Sequence, residues 1–320
     1  MLNASHILEA ENRIRPYILQ TPVEHSPWLS QETGGDIWLK LEHIQWTGSF
    51  KLRGAANKLL GLTSEQRAKG AITASTGNHG AAFAYIAHQL GIPGTIYLPE
   101  TVAPAKLAVM EIYDVELKLH GQDSLEAELA ARSVSEKEKR LFVSPYNDYD
   151  IMAGQGTIGL ELEEQLPELD AVLISVGGGG LISGVGTYLK SRFPHLEIVG
   201  CLPVNSPFMY ESVQRGHIWD GPSSPTLSDG TAGGLEPDSL TFPICQQVID
   251  RFILLSEAEI KSALIWLMKH HFHAVEGAAA LPIAALHQQA TTFTGKKVAA
   301  ILCGRKIGSQ TLLSVLEGGK

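Results

Sequence analysis

Short apolar runs alternate with segments of helical periodicity along almost the whole chain, and this alternation limits the possible folds more than any other feature. Strands are expected at Ile37–Leu41, Ala71–Ala74, Thr95–Leu98, Leu141–Ser144, Ala171–Val176, Ile198–Leu202, Phe252–Leu255 and Val298–Cys303. Helices are expected at Leu52–Leu60, His79–Leu90, Pro104–Tyr113, Leu125–Ser135, Gly156–Gln165, Gly184–Arg192, Glu257–His271 and Ala278–Gln289. Parallel neighbours in a sheet need a crossover connection, usually a helix, so the pattern implies an α/β architecture with mainly parallel twisted sheets. Asn205–Thr241 is rich in Pro, Ser, Gly and Asp and reads as a long irregular excursion of the functional kind. Crossing points between two units are placed near Ala68–Gly70 and Pro145–Asp150.

The 320 residues are 44% hydrophobic and 18% charged, enough for a large core or two domains. A formal net charge of −9 and the lack of a basic run argue against a nucleic-acid partner. Cys201, Cys245 and Cys303 are far apart in sequence and form no paired spacing, so a reducing, cytoplasmic compartment is expected. The first residues carry neither a basic nor an apolar leader segment, so no signal peptide is expected, and no uncharged apolar run is long enough to span a membrane.

The segment Ser175-Val176-Gly177-Gly178-Gly179-Gly180-Leu181-Ile182-Ser183-Gly184 follows a strong strand and enters a helix. Consecutive glycines leave backbone N–H groups free to converge on an anion, assisted by the positive end of the next helix. A tight turn alone needs only one glycine. The dinucleotide spacing fails, because Ile182 or Ser183 stands where the third glycine belongs. The Gly-Lys-Ser/Thr ending of a nucleotide phosphate loop is also absent. A single phosphate monoester fits best.

Two further segments carry chemistry. In Gly48-Ser49-Phe50-Lys51-Leu52-Arg53-Gly54-Ala55, one lysine stands between a small polar turn and a helical run. A lysine held there on a rigid element and partly desolvated is a candidate nucleophile, although alone it reads as a surface lysine at a helix start. Ser75-Thr76-Gly77-Asn78-His79-Gly80 joins a strand to a helix whose free N–H groups and hydroxyls suit a carboxylate, with more polar groups than a plain cap needs.

Together, and in this order, the three segments resemble the fold-type II pyridoxal-phosphate enzymes, within them the serine/threonine dehydratase and serine racemase group. Arg13-Ile14, Thr21-Pro22 and Ala153-Gly154-Gln155-Gly156-Thr157 extend the resemblance over nearly the whole chain. It implies a two-domain, tryptophan synthase β-like architecture, with a large cofactor-binding domain from residues 1–68 and 149–320 and a small domain from 69–148. It implies pyridoxal 5'-phosphate held covalently by Lys51, which later acts as the base at Cα. Phe50 is placed against the ring, Asn78 at its phenolic oxygen, Gly177, Gly178, Gly179 and Gly180 at the phosphate, and Cys303 beside the pyridine nitrogen. Ser75, Thr76, Gly77, His79 and Gln155 are placed around the substrate carboxylate, with Thr76 where racemase-like members carry an acid–base serine. A homo-oligomer, a dimer, is implied as well.

The chain also departs from the family. Gly304-Arg305-Lys306 replaces Gly-Gly-Asn, so that two cations face either the cofactor rim or solvent. The acidic step that opens the racemase-like divalent-cation site reads Leu202-Pro203 here, followed by Ser206 and Phe208, so no metal is expected. Asp229–Gly234 keeps a family-like turn, and Glu276 is either a loop acid near the cofactor or a helix-initiating acid. His270 and His273 are expected on one solvated helix face rather than on a metal.

The expected activity is deamination of a small β-hydroxy amino acid, L-threonine or L-serine, to a 2-oxo acid and ammonia. Alternatives on the same fold are a serine racemase and a hydroxyaspartate or phenylserine dehydratase. A nicotinamide dehydrogenase and a non-catalytic ligand sensor leave Lys51 unexplained. The short stretch after Cys303 leads to the expectation that no C-terminal regulatory domain governs the rate.

Overall fold

The computed structural model describes residues 1–317. Its strands are β1 (Val23–His25), β2 (Asp36–Lys40), β3 (Ala71–Ala74), β4 (Gly94–Leu98), β5 (Glu116–Leu119), β6 (Leu141–Phe142), β7 (Ala171–Ser175), β8 (Glu197–Pro203), β9 (Arg251–Leu255) and β10 (Lys297–Ile301). They form a six-stranded sheet in the order β1-β2-β10-β7-β8-β9 and a four-stranded sheet in the order β5-β4-β3-β6. Every pairing is parallel except β1 with β2. β7 is buried at every position, Ala-Val-Leu-Ile-Ser, as a strand covered on both faces must be.

Chain order reverses where β10 lies between β2 and β7. In open α/β sheets such a point leaves a crevice at the carboxyl ends of the strands. The residues just beyond those ends are Cys303, after β10, and the glycine run, after β7. The helix Lys51–Leu60 enters the same crevice, stitched to it by Phe50 N–H donating to Cys303 O at 3.1 Å and Arg305 N–H to Gly48 O at 3.0 Å.

Sequence and structure differ at several elements. β1 is only three residues long, and β5 is an edge strand whose Glu-Leu-Lys-Leu pattern is half exposed, so neither makes an apolar run. The helix expected from Gly156 starts at Tyr149, where Asp148 Oδ1 caps Asp150 and Ile151 N–H at 2.7 and 3.2 Å. The helix expected from Gly184 starts at Gly180. Those interior glycines are close-packing positions rather than helix starts. A Cβ on Gly154 would lie 2.6 Å from Gly54 Cα, and one on Gly184 would lie 2.6 Å from Gly156 N. The excursion Asn205–Thr241 contains a helix, Phe208–Arg215, and the short 3-10 turn Asp229–Thr231. Among the described residues, no helix is long and apolar enough to cross a membrane.

Candidate active site

A cavity of about 700 Å³ opens between the carboxyl ends of β7 and β10 on one side and the end of β3 with the helix Asn78–Leu90 on the other. Phe50, Lys51 and Cys303 line it from the large sheet's side. Ser75, Thr76, Gly77, Asn78 and His79 line it from the small sheet's side. Gly177, Gly178, Gly179 and Gly180 close one end.

Lys51 is the first residue of its helix, and its ammonium donates to Pro145 O at 2.7 Å. It lies 5.2 Å from the centroid of the Phe50 ring. Enclosure in the cavity disfavours the charged form and pushes the amine down to about 8. At pH 7 a lysine with that value is about 10% free amine, against about 0.03% at the ordinary value, roughly 300-fold more nucleophile. The rate at which apoprotein captures free pyridoxal phosphate is therefore expected to rise with pH and level off above about 8. Stopped-flow absorbance checks this, and a rise continuing to pH 10 would contradict it.

The glycine turn owes its composition to packing as well as to its free N–H groups. Gly179 adopts φ +84°, which L side chains rarely tolerate. A Cβ on Gly178 would fall 2.5 Å from Cγ of Tyr146, whose hydroxyl accepts from Glu236 N–H at 3.0 Å. Thr241 Oγ1 donates to Gly178 O at 2.6 Å and fixes the turn. The N–H groups of Gly177, Gly178 and Gly179 donate to no other described residue. They stand at the N-terminus of the 13-residue helix Gly180–Arg192, where its dipole favours an anion.

On the small-sheet side, His79 Nε2–H donates to Val143 O at 3.1 Å, leaving Nδ1 buried as an unpartnered acceptor. Burial, then the nearby Lys51 charge, pushes this imidazole down to about 3, so it is neutral. Asn78 Nδ2 donates to both carboxylate oxygens of Glu276, at 2.9 and 2.8 Å, and its Oδ1 is buried without a partner. Glu276 is 3% exposed and also accepts Lys306 N–H at 3.0 Å. Burial raises its carboxyl against the pull of these donors. It stands at the start of the helix Gly277–Gln288, yet its side chain caps nothing there and turns to Asn78 instead. Gly304 permits that approach, since a Cβ there would lie 2.6 Å from Glu276 Oε1.

Burial pushes the Cys303 thiol well above its ordinary range, so it is a neutral group. Of the two cations that follow it, Lys306 lines the cavity with its ammonium buried and unpartnered, lowered to about 8 by burial, while Arg305 is exposed. The turn Asp229–Gly234 also lines the cavity. Pro145 and Tyr146 join it from the loop after β6, a segment read from sequence only as a crossing point between two units and not as part of a site.

Two expectations need correction. Gln155, expected at the substrate carboxylate, does not line the cavity. It is 1% exposed and lies behind the lysine helix, where Oε1 accepts Gly54 N–H at 3.2 Å, one of the helix's free first-turn donors. The histidines do not share a solvated helix face. The helix ends at His270, and Phe272 turns through φ +57°. His271 is buried against Ser26 Oγ at 2.8 Å and against Glu24, which also holds His273 at 2.8 Å.

Leu202, Ser206 and Phe208 are all buried, and Ser206 Oγ accepts Gly233 N–H at 3.2 Å. The polar groups lining the cavity suit a phosphorylated aldehyde, with a desolvated primary amine, unpartnered N–H groups at a helix start, and an unpartnered carboxamide oxygen as acceptor.

Known proteins agree with this set of groups. The model of the pyridoxal-phosphate dependent enzyme family matches residues 14–304. The chain is 39% identical over its full length to an L-threonine ammonia-lyase of Geobacter sulfurreducens, 79% of which is covered. It is 38% identical to a catabolic L-threonine dehydratase of Staphylococcus aureus, with 100% of this chain and 93% of that protein covered. In three dimensions it is similar to the processed threonine deaminase isoform 2 of Solanum lycopersicum, with a TM-score of 0.94, 31% identity, and 98% and 87% of the two chains covered. It is also similar to maize serine racemase, with a TM-score of 0.92, 31% identity, and 99% and 97% covered. The chain belongs to the pyridoxal-phosphate dependent enzyme family.

Proposed function

We propose that this protein is an ammonia-lyase that deaminates L-threonine and L-serine to the corresponding 2-oxo acid and ammonia. The observation that carries the reading is Lys51, a desolvated amine inside a cavity whose far end is a free-N–H glycine turn. The activities named for the full-length relatives support it. When bound, pyridoxal phosphate supplies an electron-withdrawing ring that stabilises charge developing at the substrate Cα.

The chain supplies the rest. Lys51 would carry the cofactor and then move the Cα proton, a task suited to an amine lowered toward neutral pH. Gly177, Gly178, Gly179 and Gly180 would hold the phosphate, and Phe50 would pack on the ring. Asn78, held by Glu276, would sit at the ring oxygen. Cys303, a neutral thiol, would stand beside the ring nitrogen without forcing a proton onto it. Ser75, Thr76, Gly77 and neutral His79 surround the substrate carboxylate at the N-terminus of the helix Asn78–Leu90, whose dipole favours an anion.

The reading includes a large domain from 1–68 and 149–320, a small domain from 69–148 and a homodimer in the cytoplasm. All strands of the four-stranded sheet falling between residues 71 and 142 support the division.

The test is a substrate panel with 2-oxo acid and ammonia measured together. Threonine and serine are expected to give equal amounts of both, and 3-hydroxyaspartate and phenylserine little of either. A panel without 2-oxo acid from threonine or serine would sink the reading. EDTA is expected to leave the rate unchanged, because Leu202 and Phe208 offer no hard oxygen ligand. Rate loss in EDTA restored by Mg²⁺ would contradict this. Racemisation is expected to be the slower outcome, because the extra methyl of Thr76 restricts its hydroxyl. D-serine appearing as fast as pyruvate would reverse that order.

A further inference from the structure

We propose that Arg53 is the positioning residue for Lys51, acting from the back of the same helical turn through a buried network of charges. This rests on Lys51 being the residue that carries the cofactor.

Lys51 and Arg53 are two residues apart on one helix, so their side chains leave it on opposite sides. Lys51 enters the cavity. Arg53 is fully buried behind it and makes a double fork. Its Nε and Nη2 donate to the two oxygens of Glu42 at 2.8 and 2.7 Å. Its Nη1 and Nη2 donate to the two oxygens of Glu161 at 2.8 and 2.8 Å, and Nη1 also reaches Thr157 Oγ1 at 3.1 Å.

Both carboxylates are themselves fixed. Thr21 Oγ1 donates to Glu42 at 2.5 Å, and Lys40 Nζ and Arg15 Nη2 donate to Glu161 at 2.6 and 2.9 Å. Lys40 is further held by Thr21 O and Gln165 Oε1 at 2.6 and 2.8 Å. Lys40 ends β2 directly opposite Ile301 of β10, the strand that leads to Cys303. The network thus ties the back of the lysine helix to the end of β2, which is paired with the end of β10 that leads to Cys303 in the cavity. Gln155 on Gly54 N–H and Cys303 O on Phe50 N–H hold the same turn at two further points.

Stability alone is a poor reason for such a cluster, because well-packed apolar side chains commonly serve as well as buried ion pairs. What a fixed fork adds is direction. A guanidinium gripped in its own plane by two carboxylates resists rotation and sliding of the helix, which a single-point ammonium does not. Direction matters here because a misplacement of about 1 Å at a reacting group costs on the order of 10²-fold in rate.

The experiment uses the holoenzyme carrying Arg53→Lys, which keeps the charge and loses the fork. The variant is expected to fold, shown by unchanged far-UV circular dichroism, with kcat lowered about 10- to 100-fold and KM changed less than about 3-fold. The pH midpoint of the bound cofactor's visible band is expected to move, because the amine no longer sits in the same enclosure. A folded Arg53→Lys protein with wild-type kcat and the wild-type midpoint would overturn the proposal and leave Arg53 a purely structural residue. If that variant does not fold, Thr157→Val decides. It removes the acceptor for Arg53 Nη1 and the Thr157 hydroxyl's own bond to Gly154 O, but no charge, and a fall in kcat of about 2- to 5-fold with the same movement of the band supports the role. An unchanged band and rate would overturn it. Absence of any cofactor band in the unsubstituted protein would contradict the reading of Lys51 itself, and with it this role.

Discussion

Lys51→Ala is expected to lose the visible absorption of bound pyridoxal phosphate and to lower turnover by at least about 10⁴-fold, while the protein still folds. In the proposed roles one amine both anchors the cofactor and moves the Cα proton, so both contributions would vanish together, and proton transfer alone is worth about 10²- to 10⁴-fold. The fold survives because the ammonium has a single protein partner, Pro145 O, in a cavity open to solvent. The sign of the stability effect follows from the lowered value of about 8. Keeping that lysine charged in the folded protein is unfavourable at every pH below about 8, and the cost fades as pH rises toward the ordinary lysine value. Lys51→Ala apoprotein is therefore expected to melt no lower than wild type at pH 7. Calorimetry and an absorbance spectrum check the two halves separately. A variant with an intact cofactor band would remove Lys51 from its role.

Gly178→Ala is expected to weaken cofactor binding by about 10- to 100-fold, with a loss of stability of about 1–3 kcal/mol from overpacking. The added methyl would stand 2.5 Å from Tyr146 Cγ. That ring cannot simply swing aside, because its hydroxyl is held by Glu236 N–H and its backbone passes close to Gly180. Relief requires movement of the glycine turn, which carries the N–H groups assigned to the phosphate. Enzyme saturated with cofactor is expected to recover most of kcat, since Lys51 and the Ser75–His79 loop are untouched. Equilibrium titration with pyridoxal phosphate measures the loss, and an affinity within about 2-fold of wild type would show that the turn does not grip the phosphate.

The parts of the fold legible in the sequence are those where burial on both faces makes an apolar run, β7 and β10 above all, and where strand ends meet punctuating glycines. What escaped has identifiable causes. β5 alternates charged residues with Leu at a half-exposed edge, so it lacks the continuous apolar run used to find its neighbours. Gly154 and Gly156 look like helix breakers but lie within a helix, because backbones cross there too closely for a Cβ. Around the cavity, segments contiguous in sequence were readable because a strand-to-helix turn delivers its residues together. Tyr146, Pro145 and the grip of Glu276 on Asn78 come from distant loops and carry no local signature. Arg53 was visible as part of a motif, but its partners Glu42, Glu161 and Lys40 meet only through tertiary packing. Gln155 was placed one layer too far forward for the same reason. Spacing puts it near the lysine helix without saying on which side.

The most direct test of the account is chemical trapping of the holoenzyme with borohydride, followed by mass spectrometry of its peptides. The expected result is a single phosphopyridoxyl adduct on the peptide containing Ser49-Phe50-Lys51-Leu52-Arg53, with loss of all 2-oxo acid production. An adduct on another lysine, Lys306 in the same cavity being the nearest rival, or no adduct at all, would contradict it.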